Sequence, residues 1–163
     1  MAKGDIFLKI DDVKGESQDD AHKNEIDVLS WSWGAAQAGS SQVGGGAGSG
    51  KVQFADLTIS KHPDASTAVL LGMCAAGQPF KKAVLVVRKA GGAKPLEYIT
   101  ITMEQGIISS KSYSGSGGDA SGHSETLTLN FARVQYDYKT QKDDGSAGPT
   151  ITMKWDIAGN KKL

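Results

Sequence analysis

Glu25-Ile26-Asp27-Val28-Leu29-Ser30-Trp31-Ser32-Trp33-Gly34 alternates apolar and polar side chains and stops at a glycine, the pattern of a strand with one buried face. The alternation slips once. Ile26 and Val28 share one phase whereas Leu29, Trp31 and Trp33 share the other, so a regular strand would send them to opposite faces. A bulge at Val28 and Leu29 returns all five to one side, and the return run repeats the slip, Val52 and Phe54 giving way to Leu57 and Ile59. Two facing slips predict a strongly curved hairpin, and such curvature closes barrels. Between the runs lie Gln37, Ala38, Gly39, Ser40, Ser41, Gln42, Val43, Gly44, Gly45, Gly46, Ala47, Gly48, Ser49, Gly50 and Lys51. This segment has too little apolar area to offset its ordering entropy. Loops of such length inside compact domains are often functional, so it reads as an arm that orders against a partner.

The 163 residues fit one domain, 1–163, large enough to bury a core without disulfides or metal. Lys plus Arg and Asp plus Glu number 18 each, so no net field draws nucleic acid or an anionic membrane, and the expected partner is protein. Cys74 is the single cysteine, which excludes an intramolecular disulfide framework, suits a cytosolic folding compartment and reads as a small core residue. Met1-Ala2-Lys3-Gly4-Asp5 lacks the charged lead, apolar core and cleavage site of a signal peptide, and no apolar run reaches the length of a membrane span.

Elsewhere the strand pattern dominates. Ile6, Leu8 and Ile10 mark a first strand that turns at Asp11 to Gly15, and Glu16 to Asn24 reads as a polar surface loop. His22 sits there among carboxylates, but no second histidine lies at ligand spacing, so a structural or solvated role is expected rather than a metal. Pro63 and Asp64 open a helix capped by Asp64 or Ser66, with Val69, Leu70, Met73 and Cys74 on its buried face and Gly77 with Pro79 as its stop. The continuous run Ala83-Val84-Leu85-Val86-Val87 predicts a strand covered on both faces, with a neighbouring subunit as one source of cover. Leu96 to Glu104 and Ile107 to Tyr113 read as two further strands. Glu125 to Lys139 changes phase between Phe131 and Val134, which predicts a bulge or a bend between sheets. Ile151, Met153, Trp155 and Ile157 alternate in a last strand, and Asn160 to Leu163 should fray. About eight strands and one helix give a mainly β chain, a curved two-sheet β-barrel with a single α-helix.

Two tempting motifs fail on context. Gly45 to Gly50-Lys51 has the spacing of a phosphate-binding loop, but Val52 stands where Ser or Thr would bind magnesium and a strand follows instead of a helix. Asp119, His123 and Ser124 supply the residue types of a hydrolase triad, but a flexible Gly-Ser loop offers no rigid shell to hold them. No catalytic, cofactor-binding or metal-binding residue is assigned, no cofactor is expected, and the protein reads as a non-enzyme.

Asp5-Ile6-Phe7-Leu8-Lys9-Ile10, Val13-Lys14-Gly15-Glu16-Ser17, His22 and the Glu25 to Gly34 strand closely resemble the haemolysin-coregulated protein family of bacterial type VI secretion systems. The likeness continues through Gly50-Lys51-Val52, Leu57, Lys61, Asp64, Val87-Arg88-Lys89-Ala90-Gly91-Gly92 and Leu127-Thr128-Leu129-Asn130-Phe131-Ala132. The resemblance implies a β-barrel subunit with one helix that forms hexameric rings, stacked into the inner tube of a contractile injection machine, with effectors carried or chaperoned in the lumen. Implied partners are five further copies of the chain, rings of the same protein, spike and sheath or baseplate proteins, and secreted effectors. Neither nucleic acid nor direct membrane insertion is implied. The subunit would be cytoplasmic before assembly and then exported without a cleaved leader.

Within that expectation Trp31 and Trp33 take the core face, leaving Ser30 and Ser32 as small hydroxyls suited to line a wet lumen. Gln37 through Lys51 is the expected ring-stacking segment, carried by Gln37, Ser40, Ser41, Gln42, Val43, Gly44, Gly45, Gly46, Gly48, Gly50 and Lys51, with charge pairing between Lys51 and the Asp19-Asp20 region. The alternative is a monomeric ligand-binding β-barrel in which the Gly-rich loop is a lid.

Overall fold

The computed structural model describes residues 5–37, 51–89 and 94–163. Eleven strand segments lie among them: β1 (Ile6–Ile10), β2 (Ile26–Asp27), β3 (Ser30–Ser32), β4 (Ala35–Ala36), β5 (Gln53–Phe54), β6 (Leu57–Lys61), β7 (Phe80–Lys89), β8 (Leu96–Ser114), β9 (Ser124–Gln141), β10 (Ala147–Asp156) and β11 (Lys161–Lys162). One helix, α1 (Thr67–Ala76), and a 3-10 turn at Ala120–Gly122 complete them.

The slip at Val28 and Leu29 is where the chain changes neighbours. Ile26 and Asp27 pair with Leu8 and Phe7, and the Val28 N–H still donates to the Ile6 carbonyl at 3.0 Å. The Leu29 N–H then donates to the Ser60 carbonyl at 2.8 Å, and β3 runs antiparallel to β6. This exchange closes the sheet. The neighbours run β2-β1-β7-β8-β9-β6-β3, and the two ends of that series are halves of one run. A separate ribbon pairs β4 with β5, and the Ala55-Asp56 break that divides β5 from β6 is the facing slip read in the return run. The expected bulge is corrected in one respect: Leu29 is 51% exposed, because it is the corner residue, whereas Ile26 and Val28 are buried and Trp31 and Trp33 pack on the core.

β8 and β9 each pass through both halves of the barrel, and the count exceeds the expected eight because the two hairpin runs divide into β2, β3, β5 and β6 and the short β4 and β11 are added. Leu96 to Glu104 and Ile107 to Tyr113 are one strand, with Gln105 at a positive φ of 55° and a register shift between Ile108 and Ser110. The phase change in β9 marks its exchange of partners, from β6 through Leu129 to β10 from Arg133. Leu8, Ile26, Leu57, Ile59, Leu85, Ile101, Leu127 and Leu129 have no exposed surface and fill the barrel interior. The tail is a correction too: Lys161 and Lys162 pair with Asp156 and Trp155.

β7 is covered on both faces, as its apolar run requires, but the outer cover comes from the chain itself. Glu16 to Asn24 is the surface loop its polarity predicts, strapped to the sheet through buried Ser17 and His22 and half-buried Asp19. His22, buried, stacks on Phe7 with ring centroids 4.4 Å apart. It faces Glu25 Oε2 with Nδ1 at 2.9 Å and Glu97 Oε1 with Nε2 at 2.6 Å. The Arg88 guanidinium lies 4.7 Å from the Phe7 ring centre. The strap returns so close to β2 that a Cβ at Gly15 would sit 2.4 Å from the Glu25 carbonyl oxygen.

The expected side-chain cap of α1 is corrected: Ser66 is the N-cap residue but its hydroxyl caps no amide of the first turn, and Asp64 Oδ1 instead takes the Ser66 N–H at 2.8 Å, just ahead of the helix. It ends at Gly77, whose φ of 63° is left-handed, with Gly77 and Gln78 N–H donating to the Cys74 and Met73 carbonyls. Leu70 and Met73 are buried, but Val69 is 48% exposed and lies off the packed face.

Candidate functional site

The alternation that sends Leu57, Ile59, Leu127, Leu129 and Ile108 inward sends a different class of side chain outward. Register places Ser30, Ser60, Thr126 and Ser112 in one row across β3, β6, β9 and β8, and Ser32, Thr58, Thr128 and Ser110 in the next. Ser124 faces Ser114 beyond them. Every one is exposed or half-buried. The result is a sheet face built from small neutral hydroxyls, with neighbours in a row about 4.8 Å apart from strand to strand. Neighbouring hydroxyls bond to each other: Ser110 Oγ lies 2.6 Å and Ser109 Oγ 2.7 Å from Thr128 Oγ1, and Ser114 Oγ 3.1 Å from Ser124 Oγ. At the margin Asp56 accepts from Ser109 at 2.6 Å and from Asn130 Nδ2 at 2.8 Å, so its charge is engaged within the face.

Ser30 and Ser32 therefore stand where alternation put them, among companions that a single strand could not reveal. Thr58, Ser60, Ser110, Ser112, Thr126 and Thr128 carried the signal of the off-core phase, but which strands lie side by side is a register question. The stacking candidates divide differently. Gln37 and Lys51 are exposed and lie at the two feet of the β4–β5 ribbon. Ser40, Ser41, Gln42, Val43, Gly44, Gly45, Gly46, Gly48 and Gly50 lie outside the described residues. The ribbon is pinned by aromatics: Trp33 stacks on Phe54 at 5.6 Å and on Tyr136 at 6.4 Å, its Nε1 donates to the Ala55 carbonyl at 2.9 Å, and Phe54 meets Trp155. The run after Lys51 is a strand, β5, as the context of the phosphate-loop look-alike required.

Arg88 holds Asp19 in a charge-assisted hydrogen bond, which keeps the Asp19 carboxyl below its usual value, while Asp20 beside it is exposed. A second ionic knot was not read from the sequence. Lys61 and Lys111 both donate to Glu125 Oε1, at 2.6 and 2.7 Å, and Lys61 also meets Asp64 Oδ1 at 2.9 Å. Lys61, Lys111 and Glu125 are buried. Burial pushes the Glu125 carboxyl up, and the lysine hydrogen bonds outweigh it, so the net direction is down. In the Gly-Ser loop, Asp119 accepts from Ser121, Ser124 bonds with Ser114, and the His123 carbonyl accepts from His62, so each takes a local or backbone partner.

Comparison with known proteins agrees with this geometry. Residues 7–138 match a family model described as type VI secretion system effector, Hcp. Protein hcp1 of Pseudomonas aeruginosa is 48% identical over 157 residues, covering 96% of each chain. Among solved structures, a type six secretion system protein superposes with a TM-score of 0.90 at 30% identity, covering 98% of this chain and 99% of that one. Hcp1 from Salmonella typhimurium superposes with a TM-score of 0.81 at 40% identity, with 98% of both chains covered. A barrel closed at Val28 and Leu29, capped by one helix and matched along nearly its whole length, leaves one assignment: the chain belongs to the Hcp family of type VI secretion proteins.

Proposed function

We propose that this chain is the inner-tube subunit of a type VI secretion system, a homo-hexameric ring that stacks on copies of itself and leaves the cell through the machine. Its partners are the spike, the sheath or baseplate, and secreted effectors held in the ring lumen. The observation that carries the lumen reading is the hydroxyl face of β3, β6, β9 and β8. A passage wall must stay wet without gripping what moves past it, and small neutral hydroxyls hydrogen-bond water and extended backbone alike while offering no charge for permanent pairing. The rival, a ligand-binding barrel, needs an interior space, and here the interior is filled by leucine and isoleucine side chains.

Solution mass by light scattering, with negative-stain images of the same sample, tests the ring: a six-fold mass with annular particles is expected, and a monomer at all concentrations overturns it. Ser32→Gln then tests the wall. The longer amide projects from an exposed position, so the ring mass should be unchanged while an effector that co-purifies with the wild type is retained at least ten-fold less. Undiminished retention removes this face from effector binding.

A further inference from the structure

Two exposed surfaces of this subunit carry no charge. From Ala65 to Phe80 the sequence has no Asp, Glu, Lys, Arg or His, and from Gly145 to Met153 it again has none. The first includes α1, which is apolar on its outer side as well as its inner one: Val69 and Leu71 are 48% and 46% exposed. A helix that is hydrophobic all round belongs in a buried setting. The second is the outer part of β10, where Ile151 is 64% exposed, beside its cross-strand neighbour Tyr138 at 38%. β10 pairs with β9 on one side, while on the other side Trp155 and Asp156 pair with β11 and the Lys154 carbonyl accepts from the Leu163 N–H at 3.3 Å. Among the described residues Ala147 to Met153 is thus a sheet edge left open, and an open edge is a template for another chain.

The start of α1 and the Tyr138 edge sit at opposite ends of the β8–β9 hairpin. Thr67 at the start of α1 bonds to Glu125, which pairs with Tyr113 near the closed end of the β8–β9 hairpin. Tyr138 pairs with Ile99 at its open end, 14 residues of strand away, or about 45 Å along the path. A two-fold contact would have to bring both pairs of these unlike patches together about one axis, whereas a single contact between unlike patches propagates head to tail and closes into a ring when its rotation divides the circle.

The geometry points to a ring seam in which the outer side of α1 on one copy covers the Ile151 and Tyr138 edge of β10 on the next. This rests on the ring reading above and names its interface. Each side lacks charge, so neither leaves an unpaired ion buried when the seam forms.

The test uses the full chain. Val69→Asp and Ile151→Asp should each reduce the six-fold mass to that of a single chain with unchanged far-ultraviolet circular dichroism, while Ile107→Asp, an exposed apolar residue outside the Ala65–Phe80 and Gly145–Met153 stretches, should leave the ring intact. In a Cys74→Ser background, Val69→Cys and Ile151→Cys proteins should form a disulfide-linked pair when mixed and oxidised, and none when oxidised separately. Intact rings in both Asp variants, or pairs formed within one preparation, overturn the seam and spare the ring. A wild-type monomer overturns both.

Discussion

At the scale of single residues, the buried knot of Lys61, Lys111 and Glu125 decides how the subunit meets acid. Both ammonium groups converge on one carboxylate oxygen, and α1 joins through Thr67, which donates to the same atom at 3.2 Å. Breaking a buried pair by removing one partner typically costs about 3–5 kcal/mol, since the remaining charge is left uncompensated. Glu125→Gln is expected to lower unfolding stability by an amount of that order, read from urea midpoints at neutral pH. The pH dependence follows from the direction of the shift. The folded-state carboxyl lies below the unfolded one, so its contribution is fully present above the ordinary glutamate range and is lost as pH falls through the lowered folded value. Wild-type stability should therefore drop on acidification through that window, and the Glu125→Gln variant should show a shallower drop. Equal slopes would remove Glu125 from the acid response.

At the scale of elements, the strap from Glu16 to Asn24 holds the outer face of β1 and β7 through His22, Asp19 and Arg88, and Gly15 sets its distance from β2. A Cβ at Gly15 would meet the Glu25 carbonyl oxygen at 2.4 Å and the Ile26 Cα at 2.8 Å, all backbone that cannot swing aside. Gly15→Ala should cost about 1–3 kcal/mol as an overpacking change and should speed amide exchange across the strap. Gly34→Ala, with nothing within 4 Å of its Cβ, should be close to neutral; equal effects would show that the close approach carries no energy. The strap also marks a limit of sequence reading. Alternation gave β1, β6 and the place where β2 hands over to β3, because each is a local pattern in which one face is buried, and the continuous apolar run gave β7 with both faces covered. It could not show that a polar run folds back over Phe7, since that cover is made of His22 and Arg88, residue types that surface loops share. The same limit explains the site: Ser30 and Ser32 were legible as off-core positions, whereas Thr58, Thr126 and Ser110 joined them only through register. Lys61 and Glu125 lie 64 residues apart, and nothing in their local sequence distinguishes a buried pair from two surface charges.

At the scale of the whole molecule, the question is whether ring and stack are separable. Barrel closure runs through β2, β1, β7, β8, β9, β6 and β3, and the proposed seam through α1 and β10. The described feet of the arm, Gln37 and Lys51, lie in neither: they flank the β4–β5 ribbon, which Trp33 and Phe54 anchor to Tyr136 and Trp155. As the proposed ring-to-ring contact the arm should grip weakly for a single pair of arms, because exposed charge pairs are worth only about 0–1 kcal/mol. Repeated around a ring, weak contacts add through effective concentration. Deleting Gly44 to Gly50 should then leave the six-fold mass unchanged and abolish stacked rings in negative-stain images at concentrations where the wild type forms them. Loss of the ring itself would place the arm in the seam; stacks that persist would place ring-to-ring contact on the barrel ends instead.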